Sequence, residues 1–345
     1  MTRIINEKIV APSMQNNLRL SIVVPTYNRA EHLDFFLKTH IPVVRKYNIQ
    51  ICISDNASTD HTSDVIQKWT KIYPHIKYST QVETIHVDGN VQAALQLSET
   101  EYTWLMGDSY EIPAFSLDIL MSSLPDGDDY YDFIVLNLVG RLKEIEERIY
   151  TDHNEVLKDI GWMMTCISCS IYHKRSIQKL AFGKYKETEF GHLGMILDYL
   201  SSEKFKLLWA QKVAVVTLKT PVRKAGWGPY FLSNIFVKWP QLIDCLPDSY
   251  TAESKKKLLR SFPVKAKLLG WRNILAVRSQ GVLNREQYDQ YKNCFDRVAP
   301  SYFRYYAFLL TYIPQDICRF AVLIIEWCRR KSFQLKKRIH PNSII

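Results

Sequence analysis

The chain has 345 residues, 47% of them hydrophobic and 23% charged, enough apolar content for one large or two modest domains with ordinary cores. The net charge of +10 is uneven: residues 251–345 hold 19 Lys+Arg against 6 Asp+Glu, while the rest of the chain holds 26 against 29. Seven scattered cysteines exclude a disulfide framework and point to a reducing compartment, and no uninterrupted apolar run reaches the 18 residues or so of a membrane span.

Residues 1–17 are polar and patternless, without the apolar core and cleavage site of a signal peptide, and are expected to form a flexible arm on a cytoplasmic protein. Leu20 to Val24 predicts a buried strand ended by Pro25. Apolar residues at Leu33, Phe36, Leu37 and Ile41 then predict a helix over 30–47, kinked or stopped near Pro42. Ile49 to Ser54 predicts a second strand, with Ser58 or Asp60 placed to cap a helix through Val65, Ile66 and Trp69. A third strand is expected over 76–79, a turn over His86-Val-Asp-Gly-Asn90 and a helix over 91–97 with Asn90 near its start. Tyr102 to Met106 is a fourth strand, running into Gly107-Asp108-Ser109-Tyr110. This alternation of strand and helix predicts a parallel α/β sheet.

Further on, a helix over 115–123 and a strand over 133–138 are expected, then a helix over 154–162 and a strand over 165–173. A helix over 189–200 capped by Thr188 and a strand region over 207–218 follow. Cys166-x-x-Cys169 falls in the predicted strand, without further residues to complete a zinc or redox site. After Pro221, tryptophans, tyrosines and basic residues alternate with helical apolar spacing up to Arg330, which places a boundary near residue 220.

The chemistry concentrates where the first two strands stop. Both are β-branched runs that end abruptly in polar turns, Pro25-Thr-Tyr-Asn-Arg29 and Asp55-Asn-Ala-Ser-Thr-Asp60. Parallel sheets aim such ends at ligands. A carboxylate there, as at Asp55, can accept hydrogen bonds from a nucleobase imide or from ribose hydroxyls. The competing reading is a helix-capping cluster, the role that suits Asp60.

Taken together, these stretches resemble the family 2 glycosyltransferases of the GT-A fold. Val24-Pro-Thr-Tyr-Asn28 resembles that family's V-P-x-Y-N motif, and the turn from Asp55 to Asp60 its Asp- and Ser-containing motif. Asp88-Gly-Asn90 resembles its helix turn before the nucleotide contact. Tyr102-Thr-Trp-Leu-Met-Gly-Asp108 resembles the Y-x-W-x-x-G-D-D-D stretch of an O-antigen, abequosyltransferase-like branch. The resemblance spans about residues 18–218 and is densest before 115. It implies an α/β, GT-A-type (Rossmann-like), mostly parallel sheet flanked by helices. The catalytic domain would cover 18–220, with a nucleotide half to about 115 and an acceptor half over 116–220, followed by a helical C-terminal region over 221–345.

The resemblance also implies an enzyme that binds a nucleoside-diphosphate sugar, UDP-sugar being favoured. Pro25, Thr26, Tyr27 and Asp55 would hold the nucleoside, with Arg29 and Asn90 nearby. Asp108 would meet the diphosphate and a Mn²⁺ or Mg²⁺ ion. Here the chain departs from the family: where relatives carry two or three acids, it has Gly107-Asp108-Ser109-Tyr110, one carboxylate where a hard cation favours several oxygens. Arg223 and Lys224 are the alternative source of charge for the leaving diphosphate. Inverting transfer needs a base for the acceptor hydroxyl, and Glu189 and His192 in Glu189-Phe-Gly-His192 are the candidates. The acceptor expected is a saccharide on a polyprenyl-diphosphate lipid, in synthesis of a surface polysaccharide such as O-antigen or capsule. The degenerate acid motif keeps open a catalytically silent relative that binds nucleotide sugar or glycan as an assembly partner.

In the C-terminal region, residues 301–310 and 320–331 join apolar stretches to aromatics and cations, and Lys336-Lys-Arg338 extends the charge. That pattern fits interfacial helices on an anionic membrane, here the cytoplasmic face of the inner membrane. The competing expectation is that these helices pack on the catalytic domain or against a second subunit in a homodimer. No nucleic-acid-binding module is recognisable, so no nucleic acid partner is expected.

Overall fold

In the computed structural model, which describes residues 19–125, 128–219 and 228–339, the alternating segments of the N-terminal half build four parallel strands. They are β1 (Leu20–Thr26), β2 (Gln50–Asp55), β3 (Ile76–Thr80) and β4 (Tyr102–Leu105), joined through α1 (Ala30–Val44), α2 (Thr62–Ile72) and α3 (Val87–Gln96). They lie in the order β3-β2-β1-β4. Ile22, Val23, Val24, Ile51, Cys52 and Ile53 are all buried, so β1 and β2 are covered on both faces, as their unbroken apolar runs require. The strands run to Thr26 and Asp55, past Pro25 and Ser54, so both turns begin later than their composition suggests. Pro42 lies inside α1, which gives way to a 3₁₀ turn at Arg45–Tyr47.

The second half of the sheet is mixed rather than mostly parallel. It contains β5 (Tyr110–Glu111), β6 (Phe133–Leu138), β7 (Arg148–Tyr150), β8 (Ser170–His173) and β9 (Leu207–Thr217). The helices α4 (Ala114–Ser123), α5 (His153–Asp159), α6 (Lys174–Ile177) and α7 (Gly191–Ser202) are interspersed with them. Strand β8 lies between β4 and β6 and is antiparallel to both, while β6 and β9 are parallel. The reason is local. Residues 163–169 form two 3₁₀ turns instead of the start of the predicted strand. They sit at the C-terminal end of β4, where Ser168 accepts from Trp104 Nε1 through its carbonyl and from Gly107 N through Oγ, both at 2.9 Å. The chain therefore enters β8 from that end and runs back along β4.

The chain divides into two units: a first running to residue 224 and resuming at Leu242–Leu258, and a second made of Ala225–Gln241 and Leu259–Ile345. The boundary expected near 220 lies outside the described residues, and the chain returns once to the first unit. In that return, buried Tyr250 donates its hydroxyl to Leu197 O at 2.7 Å. The helices beyond residue 228 are α8 (Phe231–Ser233), α9 (Trp239–Asp244), α10 (Ala252–Lys265), α11 (Trp271–Ser279), α12 (Arg285–Val298), α13 (Tyr302–Thr311) and α14 (Gln315–Ile339). A π-helical stretch, Asn234–Lys238, joins α8 to α9. The second unit packs around Phe236, Phe295 and Phe303, with ring centroids 4.6 to 5.4 Å apart. Arg278 reaches the C-terminal end of α13, donating to Leu310 O at 3.1 Å and to Ile313 O at 2.7 Å.

Candidate active site

Thr26 and Asp55 are partners at the ends of β1 and β2. The turns beyond them are tied together by their own polar residues. Asn28, at φ 50°, accepts from Thr59 N at 2.7 Å and donates its backbone N–H to Ser58 Oγ at 2.8 Å. Asp60 accepts from Ala30 N at the start of α1 and from Thr62 N at the start of α2, both at 3.0 Å, so it is a double helix cap. Asn90 is buried within α3, which begins at Val87, so His86–Asn90 is helix start rather than turn. Its amide donates to Thr26 O and Ser54 O, and its carbonyl accepts from Ser54 Oγ at 2.7 Å. Asn90 therefore staples β1 to β2, with its polar atoms used inside the fold.

What these contacts leave over is chemically specific. Thr26 Oγ1 is buried without a hydrogen-bond partner among the described residues. Asp55 is buried, and its Oδ1 accepts from Ser58 Oγ at 2.5 Å and Ser58 N at 3.2 Å; Oδ2 has no hydrogen bond from the described residues. Burial pushes the Asp55 carboxyl above its ordinary range, against the pull of the Ser58 hydrogen bonds. Tyr27 is 44% exposed at the same strand end. A carboxylate oxygen, an orphaned hydroxyl and an open aromatic ring suit a nucleoside, which offers hydrogen-bonding edges and a flat face.

At the end of β4, Asp108 Oδ2 accepts from Arg29 Nε at 2.6 Å, and Arg29 Nη2 donates to Ser109 Oγ at 2.9 Å. Asp108 is buried and Arg29 is partly so. Among the described residues no group of three or more His, Cys, Asp and Glu side chains gathers to hold a metal ion. The described residues do not by themselves form a cation site; Asp108 would contribute one ligand and a bound diphosphate others. Arg223 and Lys224 lie outside the described residues. Cys166 and Cys169 are buried free thiols, the first between the two 3₁₀ turns and the second in the latter of them.

A second cluster forms where the start of α3 meets the start of α7. Glu189 precedes α7 instead of opening it, with φ 65°, a left-handed conformation unusual for a side-chain-bearing residue. Its Oε1 is 3.2 Å from His86 Nε2, while His86 Nδ1 accepts from Asp88 N. Since Nδ1 is an acceptor, the neutral ring carries its proton on Nε2 and donates it to Glu189. Asp88 Oδ1 accepts from Gly191 N at 3.1 Å, and a Cβ on Gly191 would lie 2.7 Å from that oxygen, so only glycine fits. His192 is buried, with Nε2 3.3 Å from Thr165 O; burial lowers its pKa, offset by the nearby Asp88 charge. Burial raises the carboxyl of Asp88 in turn. A cavity of about 420 Å³ opens beside this cluster, lined by His86, Asp88, Gln92, Tyr185, Lys186 and Met195 among others.

The predicted residues thus fall into three groups. Thr26, Tyr27 and Asp55 share one strand edge; Arg29 and Asp108 form an ion pair; Glu189 and His192 flank the start of α7. Residues 163–169 touch two of these places, since Ser168 holds Gly107 and Thr165 faces His192. His86 is the residue that sequence reasoning missed. The one signal was a histidine two positions ahead of Asp88, where it caps a helix.

An α/β sheet with these strand ends and a helical C-terminal region defines a GT-A-type protein. Residues 21–181 match the model of the family described as Glycosyl transferase family 2. The chain is 37% identical over 219 residues to Abequosyltransferase RfbV of Salmonella typhimurium, covering 57% of this chain and 66% of that one. It is 30% identical over 110 residues to GalNAc(5)-diNAcBac-PP-undecaprenol beta-1,3-glucosyltransferase of Campylobacter jejuni, covering 32% and 35%. The matched region therefore spans less than two thirds of either relative's length. Two solved structures share the fold. Mannosyltransferase PcManGT from Pyrobaculum calidifontis, in complex with GDP-Man and Mn²⁺, matches with a TM-score of 0.52 at 14% identity, over 92% of this chain and 91% of that one. S. aureus TarS 1-349 in complex with UDP matches with a TM-score of 0.51 at 15% identity, over 90% and 91%.

Proposed function

We propose that the protein is an inverting glycosyltransferase that moves a sugar from a UDP-sugar to a saccharide on a polyprenyl-diphosphate lipid, in the synthesis of a surface polysaccharide such as O-antigen or capsule. The observation that carries the donor half is the strand edge of Thr26, Tyr27 and Asp55, where among the described residues the Thr26 hydroxyl and Asp55 Oδ2 lack a hydrogen-bond partner and the Tyr27 ring stands open. The acceptor half draws on the two relatives, one named for abequose transfer and one for an undecaprenol-linked acceptor.

Glu189 is the better base of the two candidates. Its carboxylate is partly exposed, and it is held by the N–H of His86, which itself lines the cavity. His192 is buried with Nε2 against a carbonyl, which engages that nitrogen as a donor. In the reaction Glu189 takes the proton of the acceptor hydroxyl as its oxygen attacks the anomeric carbon, and the nucleoside diphosphate leaves. Arg29 lies at the strand end where the leaving charge would develop. A Mn²⁺ or Mg²⁺ ion bound by Asp108 together with the diphosphate would add further neutralisation there. The single carboxylate at that end, already paired with Arg29, is what favours the second reading of a silent nucleotide-sugar-binding relative.

Thermal shift with a panel of nucleotide sugars, each with Mn²⁺ and with chelator, separates the two readings when turnover is also followed. Donor at about 100 times its Kd should stabilise the fold by about 2.7 kcal/mol. Glu189→Gln should keep that shift and lose roughly 10²- to 10⁴-fold in turnover. Donor stabilisation without transfer in the wild type supports the silent relative; no stabilisation by any nucleotide sugar overturns both readings.

A further inference from the structure

The C-terminal helices carry an apolar face that the described residues leave uncovered. In α13, Phe303, Ala307 and Leu310 are buried, whereas Tyr302, Tyr305, Leu309 and Tyr312 are 63–73% exposed. The exposed set recurs every three or four residues, a stripe along one side of the helix. In α14, Ile317, Phe320, Leu323, Ile324 and Trp327 are 46–66% exposed, while Cys318 is buried. The two helices meet at a bend of 112°, held by Arg278 at the end of α13 and by Gln315, which donates to Ser279 O at 3.0 Å.

Exposed apolar area of this kind marks an interaction surface, and its surroundings say of what sort. Lys331 Nζ lies 4.1 Å from the ring centroid of Trp327, and the Arg285 guanidinium 5.6 Å from that of Tyr312. Aromatic rings joined to cations at the margin of an apolar face match the headgroup level of a bilayer. No single described helix is long and apolar enough to cross a membrane. The ten residues of α13 extend about 15 Å, half of a hydrocarbon core, before the chain turns. A second copy of the chain is the less fitting occupant, because it would bring together two surfaces from segments with a net charge of +13 each.

We propose that the α13–α14 face rests on an anionic lipid bilayer. Its aromatic and aliphatic side chains enter the acyl boundary, and Arg and Lys at its margin contact lipid phosphates. This surface is independent of the sugar-transfer reading and survives its failure.

Co-sedimentation of the full-length protein with vesicles tests it, comparing pure phosphatidylcholine with vesicles containing about one third phosphatidylglycerol. The expected result is roughly tenfold or stronger binding to the anionic vesicles, weakening as salt is raised. Combining Phe320→Ser with Trp327→Ser should reduce that binding by about tenfold or more, with melting temperature and solution mass unchanged. Absence from both vesicle types, or equal binding to both, overturns the proposal. So does a wild-type dimer that the same substitutions convert to monomer, which would give the face to a second copy.

Discussion

In the proposed donor site Asp55 would have to serve two environments at once. Burial at the end of β2 favours its neutral form, while recognition of an imide or ribose hydroxyl would need an accepting oxygen. The Ser58 hydrogen bonds reconcile these demands by favouring the ionised form and occupying Oδ1 alone. Asp55→Ala should therefore weaken donor binding by roughly tenfold to a hundredfold, the range for a hydrogen bond to a charged group. Calorimetric titration with the donor identified by thermal shift measures this, and an unchanged Kd would remove Asp55 from the site. That Thr26, Tyr27 and Asp55 gather at one sheet edge was legible in the sequence, because each lies where a buried apolar run stops. Asn90 shows the limit of that logic. Its spacing put it near the same edge, but spacing does not say whether an amide faces outward or, as here, is consumed by Thr26 and Ser54. His86 escaped notice for another reason: its partner Glu189 lies 103 positions away.

At the scale of elements, α1 is tied to the segment after Asp108 through His40. Its Nδ1 faces Phe36 O at 2.8 Å and its Nε2 accepts from Ile112 N at 3.1 Å. The ring must stay neutral to accept there, and burial lowers its pKa to about 4 from 6.5. Above pH 6.5 neither the folded nor the unfolded chain binds this proton, and the contact is fully present. As pH falls from 6.5 to about 4 the unfolded chain takes up the proton first, so stability is lost across that window. The loss is on the order of 3 kcal/mol for this one group. Urea denaturation at pH 7 and pH 5 should show about 2 kcal/mol of it, and His40→Gln should show a smaller difference between the two. Equal pH dependence in both proteins would assign the acid sensitivity elsewhere. The strands and helices of the first half were readable from apolar periodicity, whereas residues 163–169 were not. Their apolar run suits a strand, and only the bonds from Trp104 and Gly107 to Ser168 explain the turns.

Across the whole molecule, composition changes character near residue 220 but carries no sign of the return of Leu242–Leu258 to the first unit. That return contains apolar residues, and so does the second unit, so pattern alone cannot distinguish them. Buried Leu246 and Tyr250 belong to it, as does Ser254, whose hydroxyl donates to Asn154 at 2.7 Å. A chain ending at residue 224 should therefore be less soluble and melt lower than one ending at 258, even though it contains every residue of the sheet. Equal melting of the two would show that this stretch contributes nothing to the first unit.

The left-handed backbone at Glu189 separates what the fold asks of this position from what the proposed chemistry asks. A side-chain-bearing residue there costs about 1–2 kcal/mol, and its contact with partly exposed His86 returns less than about 1 kcal/mol. Glycine removes that steric cost but gives up the contact and adds about 0.4–1 kcal/mol of unfolded-chain entropy, so gain and loss nearly cancel. Glu189→Gly should therefore melt close to the wild type, while the proposed role as base predicts that turnover collapses. The fold would accept glycine here at little cost, and only the proposed proton transfer would hold the position at glutamate.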